Sequence, residues 1–486
     1  MSPPVGPARC GRSSPMKKKR TYQTVHVQQV RVEELLPLLV AGCIIALDVA
    51  KQRFVVALAT AAGELVKLFR FEHPTETRAF LRVVEAVRSG VAPGKMRVAM
   101  EPTGTYGDAI RHQLMAGGVP VHMVSPKRTH DSQELFDGVR SLHDPKSAVL
   151  VAKLCGMGLS TPWSAPAESL VRLRALVDLR QYERQRGEKS FGHLEAALAR
   201  HWPEFGQWMD VREQRSALRL LSVYPSPMQV ASSAPQVREL LRKTSRGKLP
   251  AEAVEGVIAA ATSTLGVPMV KEQEQLVRTL ARELVETSER TSSLEEQMRE
   301  VAKDDEMFGR LSTWMGTFTA APMVTHVDPR QYRSASQLEK ACGLNLREKS
   351  SGEHAGRLTI TKRGSGVVRQ VLYLFALRMI QESAVVRAWY KRRRGYTEES
   401  KQRAVVAVMR KLVRALFHVA RGETFDASKL FDVRRLKLDA EPTTAAETSE
   451  QQATPKRQAP QPRTRPRPIA RSYKRGKEGH AEHASA

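Results

Sequence analysis

Three carboxylates carry the chemical interest of this sequence. Asp48 lies in CIIALDVAKQRFVVALA, residues 43 to 59, a stretch otherwise apolar enough for the inside of a β-sheet. An ionised carboxylate buried there without a partner costs too much to be incidental. Glu101 closes a second short apolar run, MRVAME, and Asp144 stands before Pro145 at the head of the apolar segment SAVLVAKL. Read alone, Asp144 is a helix N-cap with proline at the first helical position. Brought close together, two such like charges require a cation. Mg²⁺ is the natural one, held by one or two carboxylates and completed by water and phosphate. Three converging carboxylates suit a two-metal phosphodiester site, with ions roughly 3.5 to 4 Å apart flanking the scissile phosphate. A serine pair, Ser350 and Ser351 before Gly352, is the remaining feature, and by itself SSG signals a turn.

The elements that would position the acids follow from periodicity. Between 43 and 71, CIIALDV, FVVALA and LVKLFRF are separated by the polar turns AKQR and TAAGE, which predicts a three-stranded antiparallel meander. TETRAFLRVVEAV then spaces apolar residues as a helix does, MRVAM is a strand, YGDAIRHQLMAGG is a helix ending at glycines, and VPVHMV is a strand. Three antiparallel strands followed by α-β-α-β give an α/β sandwich of the ribonuclease H-like kind over residues 41–162, in an order that other α/β folds partly share. In such a sandwich the opening strand is central and the strand after the first helix lies beside it, about 4.8 Å away. Asp48 and Glu101 then leave neighbouring strands at one sheet edge. A helix after the last strand delivers Asp144 to the same place.

Downstream of Trp163 the pattern is helical to about residue 305. Val277, Leu280, Leu284, Thr287, Thr291, Leu294, Met298 and Val301 alternate between a and d heptad positions, which suits a coiled-coil hairpin arm or a dimer seam. The two threonines suit an amphipathic helix packed on its own domain nearly as well. Residues 306–425 read as a second, mostly helical domain around a Gly- and Ser-rich centre. Within it, WYKRRRGYTEESKQRAVVAVMRKLVRALF alternates aromatic and basic residues, as a nucleic-acid contact or a packed helix with a basic outer face would. Residues 435–486 collapse to Ala, Thr, Pro, Gln and Arg and predict a disordered basic tail. Residues 1–40 read as a flexible basic extension.

Composition narrows the partner. The 486 residues include 78 Lys and Arg against 51 Asp and Glu, a net charge of +27, which points to a polyanion, nucleic acid before an anionic membrane. With 41% hydrophobic residues there is material for real cores. Cys10, Cys43, Cys155 and Cys342 form no C-x-x-C pair, so neither a zinc site nor a disulfide framework is expected, and a reducing cytoplasm suits them. No apolar run of about 18 residues suggests a membrane span.

At this point a family resemblance enters. ALDVAKQRFVVAL, MEPTGTYG, VSPKRTHD and LHDPKSA resemble the successive blocks of the DEDD transposases of bacterial insertion sequences, the insertion sequence 110 family. The nuclease half of that family is similar to the RuvC Holliday-junction resolvase, and the pilin-gene invertases are relatives. The resemblance covers about 43–160 and resumes at about 310–385. It implies a DNA transposase using Mg²⁺, with Asp48, Glu101 and Asp144 on the first three acids of the pattern. Where the family has a fourth acid, three residues after the third, this chain has Ser147. Positions i and i+3 share a helix face, so an acid there would also meet the metals. Either a ligand comes from Asp137, Asp131 or water, or this copy binds metal weakly or is an inactive, degenerate transposase that retains binding only.

ACGLNLREKSSGEHAGRLTITKRGSGVVRQVLYLFAL resembles the family's C-terminal block, in which the serine directly before glycine is the nucleophile. This implies Ser351, with Ser350 in reserve, and Lys362, Arg363 and Arg369 as partners of the strand's phosphates. LSTWMGTFTAAPMVTHV resembles the family's Gly-x-Gly turn, a backbone nest for phosphate, with Gly316 kept and Phe318 in place of the second glycine. The resemblance further implies a homo-oligomer acting on DNA with a structured guide RNA from the element, at the nucleoid of a bacterium. Two other readings stay open: a junction-resolving nuclease in which metal-activated water attacks, and a nucleic-acid-binding protein whose acids are structural.

Overall fold

The computed structural model describes residues 22–102, 104–348, 356 and 358–436. The chain divides into two compact units at Gln331/Tyr332.

The first unit opens with a mixed seven-stranded sheet: β1 (Val25–His26), β2 (Cys43–Asp48), β3 (Arg53–Thr60), β4 (Leu65–Glu72), β5 (Met96–Met100), β6 (Val121–Val124) and β7 (Ser160–Pro162), in the spatial order β1-β4-β3-β2-β5-β6-β7. The antiparallel meander of β2, β3 and β4 is as expected. β5 pairs parallel with β2, and β6 with β5. Helices α1 (Thr77–Gly90), α2 (Asp108–Ala116) and α3 (Pro126–Asp131) follow β4, β5 and β6. Two strands were not foreseen: β7 beside β6 and β1 beside β4. β1 also shortens the N-terminal extension. From Tyr22 onward the chain folds onto the sandwich, because Val27, Val32 and Leu39 have a core to enter and are buried in it. Residues 1–21 lie outside the described residues.

Alternation along the strands gives the sheet two different faces. Cys43, Ile45 and Leu47 of β2, with Phe54, Val56 and Leu58 of β3, pack against Phe80, Val84 and Val87 of α1. Ile44 and Ala46, with Val55, Ala57, Ala59 and Ala99, pack against α4 (Asp144–Gly156), which contributes Ala148, Val151, Ala152 and Cys155. Small side chains on both sides let α4 lie close to the sheet. Its last residue is keyed there, since a Cβ on Gly156 would stand 2.3 Å from the Ala62 carbonyl oxygen. A Cβ on Gly63, at φ +88°, would stand 2.8 Å from the Ala152 carbonyl oxygen.

Beyond the sandwich, α5 (Glu168–His201) and α7 (Lys271–Val301) run antiparallel, with α6 (Arg215–Val223) packed against α7. Glu183 pairs with Arg290 at 3.2 Å, and Ser190 donates to Glu283 at 2.8 Å. Val277, Leu280, Ala281 and Val285 of α7 enter a core with Leu194 and Leu198 of α5 and Leu220 and Leu221 of α6. The heptad face of α7 is therefore covered by its own chain. Helices α8 (Glu306–Met315) and α9 (Thr317–His326), expected at the head of the second domain, pack with the first unit. Arg174 donates to the Thr325 carbonyl at 3.3 Å, Arg299 to the Thr317 hydroxyl at 3.2 Å, and the Arg180 guanidinium stacks 3.8 Å from the Phe318 ring centre.

The second unit comprises α10 (Ala335–Ala341), the short hairpin strands β8 (Leu346–Arg347) and β9 (Thr359–Ile360), α11 (Gly366–Glu382), α12 (Ala384–Arg393) and α13 (Glu398–Val419). α13 packs against the other three helices, and the buried Glu339 accepts from Arg410 at 2.7 Å and Arg414 at 3.1 Å. The basic tail from 437 lies outside the described residues. Among the described residues no helix is long and apolar enough to cross a membrane.

Candidate active site

Leu47 of β2 lies beside Met100 of β5 in parallel register. Asp48 and Glu101 are the next residues on each chain. Because Ala46 and Ala99 face α4, alternation carries both carboxylates to the α4 side of the sheet. Asp144 is the first residue of α4. The N-cap of that helix is His143, whose Nδ1 accepts the Lys146 backbone N–H at 3.3 Å, which overturns the N-cap reading of Asp144. The Asp144 carboxylate is exposed, and no hydrogen bond or ion pair among the described residues engages it.

The three acids sense one another. Burial, then the charge of Asp144, then that of Glu101 push the half-buried Asp48 carboxyl from 3.8 up to about 7. Burial raises Glu101 as well, and the nearby Thr129 hydroxyl opposes that rise. Thr129, on α3, is only 2% exposed, and its hydroxyl falls short of hydrogen-bond geometry with any partner. Crowded negative charge costs free energy, and a hydrated divalent cation would relieve it. Among the described residues no three acidic, His or Cys side chains are gathered into a ready-made metal cage. Mg²⁺ needs only one or two carboxylates and keeps its waters, so the crowded Asp48 with its acidic neighbours is a donor set that this ion could use.

Ser147 lies one turn after Asp144 and is 8% exposed. The two acids weighed as its substitutes are engaged elsewhere. Asp137 pairs with Lys146 at 2.8 Å and accepts the Val139 N–H at 3.0 Å and the Tyr22 hydroxyl at 2.9 Å, and the Lys146 contact leads in holding its carboxyl down at about 2. Asp131 pairs with Lys127 at 2.7 Å. Asp137, held by three partners, is the less available of the two.

Sequence reasoning missed Lys146. Its side chain is 2% exposed, and Nζ donates to Asp137 and, at 2.6 Å, to the Val139 carbonyl, tying the preceding loop to the first turn of α4. The Tyr22 ring meets His143 edge-on at 5.2 Å and closes the same network. A signal was present: a lysine on the packed side of an apolar helix must find a partner.

In the second unit the three predicted phosphate ligands divide. Lys362, at φ +54°, and Arg363 are exposed. Arg369 is half-buried and donates to the Gly364 carbonyl at 2.9 Å, bracing the loop that carries the other two. Ser350 and Ser351 lie outside the described residues. Gly316, at φ +80°, forms the expected turn between α8 and α9, while Phe318 serves as the packing surface for Arg180.

A mixed sheet with acidic residues at the ends of its central parallel strands and at the head of the covering helix defines a class, the phosphodiester-processing enzymes of ribonuclease H-like fold. Two family models then give the particular family. The IS110 DEDD transposase model matches residues 45–203, and that of the Transposase IS116/IS110/IS902 family matches residues 314–391. The chain belongs to the IS110 family of DEDD transposases. It is a DNA transposase of an insertion sequence, an enzyme that cleaves and rejoins DNA, and DEDD domains of this kind work with divalent metal ions. No curated protein matches it.

Proposed function

We propose that this transposase breaks and rejoins DNA strands through a covalent link to Ser351, with Mg²⁺ held by Asp48, Glu101 and Asp144. The observation that carries the reading is geometric: Asp48 and Glu101 follow paired positions of β2 and β5 on the face that α4 covers, Asp144 heads α4, and burial, then Asp144 and Glu101, push Asp48 up to about 7. When bound, the ion supplies charge neutralisation and electrophilic activation at the scissile phosphate.

The protein's own residues do the rest. Asp48 and Glu101, at the ends of paired strands, give a rigid pair of donors, and Asp144 adds an exposed carboxylate from the head of α4. The Ser351 hydroxyl attacks phosphorus: it loses its proton, a P–O bond forms to Oγ, and the bond to the departing deoxyribose oxygen breaks as that oxygen takes up a proton. Attack by the hydroxyl of a new strand end reverses these events. The phosphodiester bond energy is kept, so no nucleotide triphosphate is needed. Lys362 and Arg363 neutralise strand phosphates, and Arg369 holds their loop. A homo-oligomer and a structured guide RNA complete the proposal, and the basic surface suits both.

The test is to incubate the protein with the element's ends and Mg²⁺, denature it, and look for DNA bound to protein. The adduct forms with wild type and is absent with Ser351→Ala. Cutting by Ser351→Ala at the full rate points instead to water as the nucleophile.

A further inference from the structure

Between α12 and α13 the second unit carries a loop that the reaction above does not use. Lys391, Arg392, Arg393 and Arg394 are all exposed, and two residues on stands Tyr396, at 102% the most exposed large apolar side chain among the described residues. Tyr396 immediately precedes Thr397, the N-cap of α13, whose hydroxyl accepts the Ser400 N–H at 3.2 Å. The apolar fourth helical residue onto which an apolar residue at this place could fold back is absent, since that position is Lys401. A fully exposed ring makes no such contact.

The neighbouring aromatic residues are employed: Trp389 packs edge-on against Phe431 at 5.2 Å, and Tyr390 is half-buried. Two of the cations are poised over them, Arg393 at 5.3 Å from the Trp389 ring centre and Arg394 at 5.8 Å from that of Tyr390. Gly395 keeps the loop tight against α13, since a Cβ there would stand 2.6 Å from the Ser400 hydroxyl. Glu398 pairs with Lys401 at 2.5 Å and Glu399 with Arg403 at 2.8 Å.

We infer that this loop is a clamp for a nucleic-acid strand with unpaired bases: Arg393 and Arg394 contact successive phosphates, and both faces of Tyr396 are free to stack on a base of that strand. Arg393 and Arg394 beside a ring with unused faces match the two surfaces a single strand offers. A duplex hides its base faces, and an anionic lipid surface offers phosphate without a planar partner. DNA and RNA share the chemistry. The inference rests on the DNA-processing reading only in requiring a strand to be present, and it is independent of the acids and of Ser351.

Binding is measured with the full chain in chelator, so that cleavage plays no part, using labelled oligo-dT, oligo-U of equal length, blunt duplex DNA and phosphatidylserine vesicles. Tyr396→Ala weakens single-strand binding about tenfold and leaves duplex binding unchanged, while Tyr396→Trp restores it with quenched indole fluorescence. Arg393→Ala lowers the salt slope of single-strand binding by about 0.7. The stronger of the DNA and RNA effects identifies the strand. Wild-type single-strand binding by Tyr396→Ala, or a loss confined to vesicles, overturns the clamp. A chain that binds normally but does not cut leaves the clamp standing and counts against the acidic site.

Discussion

At the scale of single residues, Asp48 decides how the site responds to pH. Its carboxyl holds a proton up to about 7 because ionisation inside the sheet edge, beside Asp144 and Glu101, is unfavourable. The sign follows from linkage: a carboxyl whose value is raised in the fold contributes stability at low pH, and that contribution is lost as pH rises from about 4 through about 7. In chelator, the melting temperature of wild type minus that of Asp48→Asn therefore falls across this window, and Mg²⁺ closes the gap above it. Because proton and cation compete for one carboxylate, Mg²⁺ affinity rises about tenfold per pH unit below pH 7 and levels off above. A melting difference that is flat between pH 4 and 8 counts against the crowding of charge on Asp48.

At the scale of elements, the proposed site is made by two strand ends and one helix start. Strand pairing alone fixes Asp48 against Glu101, but the place of Asp144 depends on how the first turn of α4 is held. Lys146, buried between Asp137 and the Val139 carbonyl, holds it. Lys146→Met keeps the apolar volume and removes the tether, so it weakens Mg²⁺ binding about tenfold, as loss of an outer partner of a ligand does. Lys146→Arg, which can still pair with Asp137, recovers most of it. Calorimetric titration separates these outcomes, and unchanged affinity in Lys146→Met removes the positioning role.

Much of this was legible beforehand, and for physical reasons. The meander and the two parallel strands show in the sequence because period-2 alternation and short polar turns are local signals. The meeting of Asp48 with Glu101 followed from adjacent strands. β1 and β7, two and three residues long, carry too little alternation to be seen. The cap at His143 was hidden because Asp before Pro is the commoner capping pattern, and Lys146 because its partner comes from a loop without a pattern of its own. The heptads of α7 marked an apolar face but not its partner, which proved to be α5 and α6 of the same chain.

At the scale of the whole molecule, charge is distributed by task. Residues 163–305 carry 21 basic and 21 acidic side chains, whereas 332–436 carry 23 basic and 9 acidic. The helical middle is thus near neutral and the second unit carries the surplus positive charge, with Lys362, Arg363 and the loop before α13 among its exposed cations. Concentrated positive charge draws a strand in by counterion release and gives no chemistry of its own. The chemistry is assigned to the acidic edge of the first unit. The most direct measurement of that assignment is Mg²⁺-dependent strand cleavage at the element's ends by wild type and by Asp48→Ala, with DNA binding followed in parallel. Binding retained and cleavage reduced at least a hundredfold in Asp48→Ala is the predicted result. Cleavage at the wild-type rate without the Asp48 carboxylate contradicts the account.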